Sequence, residues 1–254
     1  MMTFSDFLAS APGRLLRRWE AERFDEAVDD LPSNAALQVG AAQLDTLRAN
    51  RAALQIRVDD ASSVTTPAGR DDLKDVAALA HALPFEADRF SCVTLVHALD
   101  FSPHPQLALR EAVRVLEPEG TLLLTGFNPY GAWWLRQQAV RLGARAYLPD
   151  NTAPLSVGRL QDWLSLLGLR IRAGRFGIYR PACQTLKALA SWKWIDLAGD
   201  RWAPQCGNLY FLSAVKSVPG CITPGLSDTN TCERLPPKHR YATGSVHHTK
   251  NSDT

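Results

Sequence analysis

The sequence predicts an α/β fold: a mostly parallel sheet with helices on both faces and a late antiparallel strand. Two observations carry that prediction. Short apolar runs alternate with helix-periodic segments from Ala35 to Gly168, the pattern of successive strand–helix–strand units. After the last of these helices come two alternating strands, "LRIRAGRFG" and "NLYFLSAVK", with little helix expected between them, which suits a hairpin-like antiparallel edge.

In chain order, residues 12–29 read as a helix. Pro12 sits in its first turn, Leu15, Leu16, Trp19 and Ala27 form a partly apolar face, and "LPSN" breaks it. Ala35 to Val39 is a short apolar strand ending at Gly40. Residues 43–52 are expected to be helical, and Leu54 to Val58 a second strand with Asp59 and Asp60 at its end. "SSVTTPAGR" is a loop, and residues 74–79 a short third strand. "FSCVTLVHAL" is a buried strand. In "HPQLALREAVRVLEPEG", Leu109, Ala112, Val113 and Leu116 share one helix face, and Pro118 and Gly120 end it. "TLLLTGF" is the next buried strand. "NPYGAWWLRQQAVRLG" opens with Asn128 before Pro129, a helix-start signal, and "LSVGRLQDWLSLLG" is a helix closed by Gly168.

The chain of 254 residues is 46% apolar, enough for a real core. Its formal net charge of +2, with both signs interspersed, argues against a chain built to grip DNA phosphates. Lys187 and Lys193 do not cluster with enough aromatics to support RNA stacking. No apolar run is long enough to span a bilayer, and the N-terminal stretch lacks the basic start and apolar centre of a signal peptide. The five cysteines form no C-x-x-C pair, so neither a disulfide framework nor a metal site is expected. The expectation is a cytoplasmic protein with no membrane partner. From Ser217 the composition turns to Pro, Gly, Ser and Thr, which predicts a disordered tail over 217–254 after an ordered domain of 1–216, whose first 33 residues are a helical approach.

One block is specific. It contains Leu83-Pro84-Phe85, then Val93 to Val96, His97, Leu99 and Phe101, then Leu109-Arg110-Glu111, Arg114-Val115-Leu116, Pro118 and Gly120. It resembles the second half of a class I S-adenosyl-L-methionine (SAM)-dependent methyltransferase of the type 11 group. With its flanks, residues 10–216 resemble a bacterial methyltransferase-like subgroup. The resemblance implies a Rossmann-like, doubly wound sheet of seven strands, SAM as cofactor, and a methyl acceptor expected to be a small molecule.

It also implies three cofactor contacts. The first is the loop after strand one: Gly40 is kept, Ala41 and Ala42 follow, Gln38 replaces an acid, and Leu44 stands where a further glycine would be. The need there is close backbone approach to the cofactor. The second is an acid at the end of strand two, for the ribose hydroxyls. Asp59, nineteen residues after Gly40, or Asp60 fits; an Asp pair in a turn is the plainer alternative. The third is an acid after strand three, for the adenine. Leu79 occupies that position, which leaves backbone groups near Ala80 and the side chain of His81.

His97 and Asp100 follow strand four, where the acceptor would sit. His97 is the candidate catalytic residue, as general base or acceptor-orienting group, against a structural histidine bonded to a nearby loop. Asn128 is a candidate substrate contact or, more simply, a helix cap. Trp133, Trp134, Trp192 and Trp194 are candidates for an apolar acceptor pocket or for packing. The leading reading is a SAM-dependent methyltransferase. The alternative is a non-catalytic relative with weak or lost SAM binding that acts through a partner.

Overall fold

The computed structural model describes residues 2–29, 31, 34–59, 73–143 and 145–217. Asp60, the "SSVTTPAGR" loop and the tail from residue 218 onward lie outside the described residues.

The chain begins with two helices, α1 (Phe4–Ala9) and α2 (Ala11–Val28). The first is a turn and a half that the sequence reading did not anticipate. Thr3 and Asp6 cap it reciprocally, and Ser10 caps α2 by accepting from Gly13 N. The central sheet holds β1 (Ala35–Val39), β2 (Leu54–Asp59), β3 (Leu73–Ala77), β4 (Phe90–Val96), β5 (Leu116–Phe127), β6 (Leu169–Gly177) and β7 (Leu209–Lys216). Its order is β3-β2-β1-β4-β5-β7-β6. The first five strands pair in parallel, and β7 runs antiparallel to both β5 and β6. This is the doubly wound arrangement with a late antiparallel strand. β1 and β4 lie at the centre and are buried along their whole length, which explains their apolar runs.

Short α3 (Ala98–Phe101) follows β4. The covering helices are α4 (Pro105–Val115), α5 (Ala132–Gln138), which runs on into a 3-10 turn, and α6 (Val157–Leu166). Two core clusters form. One joins α4 and α6 to the sheet through Leu109, Ala112, Leu160 and Leu164. The other joins α1 and α2 to the opposite side through Phe7, Leu16, Phe24 and Val28.

Four expectations are corrected. Residues 43–52 form turns, not a helix. Leu44 and Leu47 have helical spacing and are buried, but the buried amide of Gln38 fixes the segment in a non-helical path. Its Nε2 donates to Leu44 O at 2.5 Å, and its Oε1 accepts from Thr46 N at 3.1 Å. α2 supplies the helical cover instead: Leu44 and Leu47 join its cluster, and Asp25 pairs with Arg48. Asn128 does not cap a helix, because α5 begins at Ala132 with Gly131 as its cap. The β6–β7 connection contains α7 (Leu186–Ser191) and α8 (Lys193–Trp202), so the late strands are not joined by a simple hairpin. Pro118 and Gly120 do not end α4. It closes at Val115, and both residues lie within β5, which starts at Leu116 with no intervening loop.

Candidate active site

The ends of β1, β2, β3 and β4 open into a cavity of about 410 Å³. Its wall includes Gly40, Ala41 and Gln43 after β1, Asp59 at the end of β2, and Ala78 to His81 after β3. Val96 to Ala98, Phe101 and Ser102 come from the β4 end, and Phe4 from α1. This is the carboxyl edge of a parallel sheet, where ligands of such folds bind. Of the sequence candidates, Gly40, Ala41, Asp59, Ala80, His81 and His97 all line it. Ala42 does not; it is buried and contributes backbone groups just behind the wall.

The loop after β1 is held by side chains rather than by repeated glycines. Gly40 has φ +82°, and Ala41 has φ +45°. A Cβ on Gly40 would lie 2.8 Å from Val96 O and 3.0 Å from Ala98 Cβ, so this position needs glycine for both conformation and space. Gln38, fully buried, lies under the loop and does not face the cavity. Asp59 Oδ2 accepts from Ala42 N at 2.8 Å. Arg57 donates to Ala42 O at 2.7 Å and grips Asp75 with two bonds of 2.7 Å each. The strand-two side chains thus shape the strand-one loop. Asp59 is half-buried, at the cavity, with its carboxylate already part of that support.

His97 sits in the left-handed region, with φ +53°. Its ring is fully buried between two carboxylates. Nδ1 bonds Asp100 Oδ2 at 2.8 Å. Nε2 lies 2.9 Å from Glu20 Oε1, an ion-pair contact off the hydrogen-bond line. Phe4 and Phe127 flank the ring at centroid distances of 5.2 and 4.6 Å. Burial alone would lower the imidazole pKa. The Glu20 charge at ion-pair distance, with the hydrogen bond and charge of Asp100, more than offsets it and pushes the value up to about 10. Asp100 is also raised, by burial first, against the lowering effect of His97. At neutral pH such a ring already carries its proton, which suits a charged positioning group better than a general base. Asp100 also accepts from Phe127 N at 2.9 Å, tying the β4 end to the β5 end.

His81 lines the cavity and meets His104 edge-on at 5.6 Å between ring centroids. Asn128 does not line the cavity and does not start α5. Its Nδ2 donates to Gln205 O and Gly207 O at 2.7 Å each, fastening the β5 end to the approach to β7. Trp133 is core, with Nε1 donating to Arg180 O at 3.1 Å. Trp192 and Trp194 are exposed and do not line the cavity. Sequence reasoning missed Glu20 and Phe4, because nothing local marks an N-terminal residue as packed against a histidine more than seventy positions away. No cluster of metal-ligating side chains occurs among the described residues.

Residues 37–124 match the family model described as "Methyltransferase domain", type 11. The match starts in β1 and ends in β5, and so spans every strand end that lines the cavity. The match covers 88 of the 254 residues, so the likeness to a type 11 methyltransferase domain is one of this segment. An uncharacterized Escherichia coli K12 protein, YafS, is 37% identical over 97 residues, covering 38% of this chain and 40% of YafS. The ubiquinone/menaquinone biosynthesis C-methyltransferase UbiE of Pseudomonas fluorescens is 36% identical over 83 residues, covering 29% of this chain and 32% of UbiE. The chain therefore matches less than half the length of these curated relatives. A solved SAM-dependent methyltransferase from Thermotoga maritima superposes with a TM-score of 0.55 at 16% identity, covering 80% of this chain and 92% of that one. That likeness shows that the shared fold extends beyond the residues of the family-model match.

Proposed function

We propose that the chain is a SAM-dependent methyltransferase acting on a small-molecule acceptor. The observation that carries this is the cavity at the ends of β1 to β4, with Gly40, Asp59 and Ala78 to His81 on its wall. Its volume falls within the roughly 300–1,000 Å³ of small-molecule sites. The residues fit the cofactor. Gly40 and Ala41 offer a close backbone approach, Asp59 a carboxylate for ribose hydroxyls, and the segment after β3 a surface for the purine. Bound SAM supplies an activated methyl group. The chain then has to align the acceptor and exclude water. Phe4 and Phe101 line the cavity, and both pack on the buried His97 ring. His97 is a positioning residue here, held by Glu20 and Asp100. The UbiE relatives, named for methylation in quinone biosynthesis, support a small organic acceptor.

The second reading, a non-catalytic relative, draws on Leu79 in place of an acid and on the Asp59 carboxylate already engaged by Ala42 N. Calorimetry with SAM and S-adenosylhomocysteine separates the two. The enzyme reading expects saturable heat with both, weakened at least tenfold by Asp59→Ala. No heat with either ligand, from protein whose unfolding transition is intact, supports the second reading.

A further inference from the structure

We propose that the outer face of α7 and α8 docks on an anionic lipid surface. The face is built on a fixed platform. Asp196 accepts from Arg180 Nε at 2.7 Å and from Tyr179 N at 2.9 Å. Gly199 lies against the Tyr179 ring, and Arg180 also donates to Leu189 O in α7 at 3.1 Å. These contacts pin one side of the helix pair and turn the other outward. Trp194, Leu197 and Trp202 are 61%, 81% and 82% exposed, and Leu186 and Trp192 are exposed beside them. Large apolar side chains grouped this way on a surface mark an interaction site rather than chance exposure.

The charge of the segment selects the partner. Residues 186–202 carry Lys187, Lys193 and Arg201 against Asp196 and Asp200, and Asp196 is neutralised by Arg180. An exposed apolar face of Trp and Leu among Lys and Arg is the composition of a helix that lies in a membrane interface. The rings enter the headgroup boundary, and the cations meet anionic lipid. The sequence reading expected no membrane partner because no segment can span a bilayer, and no described helix is long and apolar enough to do so. Lying on the surface requires no span.

Topology adds a consequence. β6 ends at Gly177, opposite Leu209, and Leu209 pairs with Phe127 at the end of β5. The α7–α8 insertion therefore leaves the sheet at the same edge as the cavity. The docking itself does not depend on the methyltransferase reading.

The test is co-sedimentation of the full chain with vesicles of phosphatidylcholine alone and of phosphatidylcholine mixed with phosphatidylglycerol. The expected result is retention on the anionic vesicles, with roughly tenfold less on the neutral ones, and release by added salt as screening predicts. Trp194→Ser/Trp202→Ser should abolish retention, and Lys187→Glu/Lys193→Glu should reduce it about tenfold. Both sets of substitutions are on the outer face, so the thermal unfolding transition of each variant should match that of the parent. Equal retention of the tryptophan variant overturns the proposal, as does failure of the parent to bind either vesicle. Concentration-dependent dimerisation that the tryptophan variant loses also overturns it, and assigns the face to a second copy.

Discussion

Replacing Gln38 with leucine should remove the clasp beneath the loop after β1. Gln38 Nε2 donates to Leu44 O, and its Oε1 accepts from Thr46 N and from Thr46 Oγ1 at 2.9 Å. The Thr46 hydroxyl keeps a second partner in Thr94 Oγ1 at 3.1 Å. Leucine therefore strands Thr46 N–H and Leu44 C=O, and removes longer bonds to Gly40 O at 3.4 Å and Ala41 O at 3.3 Å. Each buried unsatisfied group costs about 1–3 kcal/mol. Leucine's better burial and partial access of water to a relaxed loop offset some of that, leaving a net loss of about 2–4 kcal/mol. With a urea slope of about 2–3 kcal/mol per molar, the unfolding midpoint should fall by about 1 M. Urea titration followed by circular dichroism measures it. Gln38→Glu should fall at least as far, because a carboxylate cannot donate to Leu44 O and buries a charge. A Gln38→Leu midpoint equal to that of the parent would refute the claim that this side chain holds the loop.

Gly40→Val places a branched side chain at φ +82° against Val96 O, so SAM binding should disappear and the unfolding midpoint should drop; calorimetry and urea titration read the two effects. Arg57→Met strands the Ala42 carbonyl and leaves Asp75 without its cation. The cost is about 2–4 kcal/mol, below that of a fully buried broken pair because Asp75 keeps some water access. Stability should also fall with rising pH. The folded-state pKa of His97 is raised, so its contribution is fully present below the unfolded value of 6.5 and is lost as pH climbs through about 10. The raised Asp100 carboxyl works in the same direction from about pH 4 upward. A His97→Gln variant should flatten the alkaline part of the stability profile, and a decline identical to that of the parent would contradict the assignment. Asn208→Ala removes bonds to Ile178 O at 2.6 Å, Arg180 O at 2.9 Å and Trp133 N at 2.8 Å. It should cost about 2–4 kcal/mol in urea titration.

The strands were the most legible part of the sequence. β1 and β4 are buried on both faces, so their apolar runs speak for themselves, and β6 and β7 fall where their alternation placed them. The misread segment, residues 43–52, shows why periodicity can mislead. Leu44 and Leu47 have the spacing of a helix face, but one buried glutamine eight residues before Thr46 dictates turns. The insertion of α7 and α8 was missed because its helices are short, six and ten residues, and the apolar side chains Trp194, Leu197 and Trp202 of α8 face solvent rather than the core. On the cavity wall, the positions of Gly40, Asp59 and His97 were legible because each stands at the end of a strand. What surrounds them was not. Glu20 reaches His97 from α2, and Phe4 reaches it from α1, and only the tertiary packing brings those pieces of chain together.

The most direct test of the central claim is a crystal structure of the full chain grown with S-adenosylhomocysteine. The account predicts density for the nucleoside in the cavity, with the ribose at Asp59, the purine beside Ala80 and His81, and the amino-acid end against Gly40 and Ala41. Ligand density elsewhere, or a cavity left empty by a ligand present well above the cavity's concentration, would contradict it.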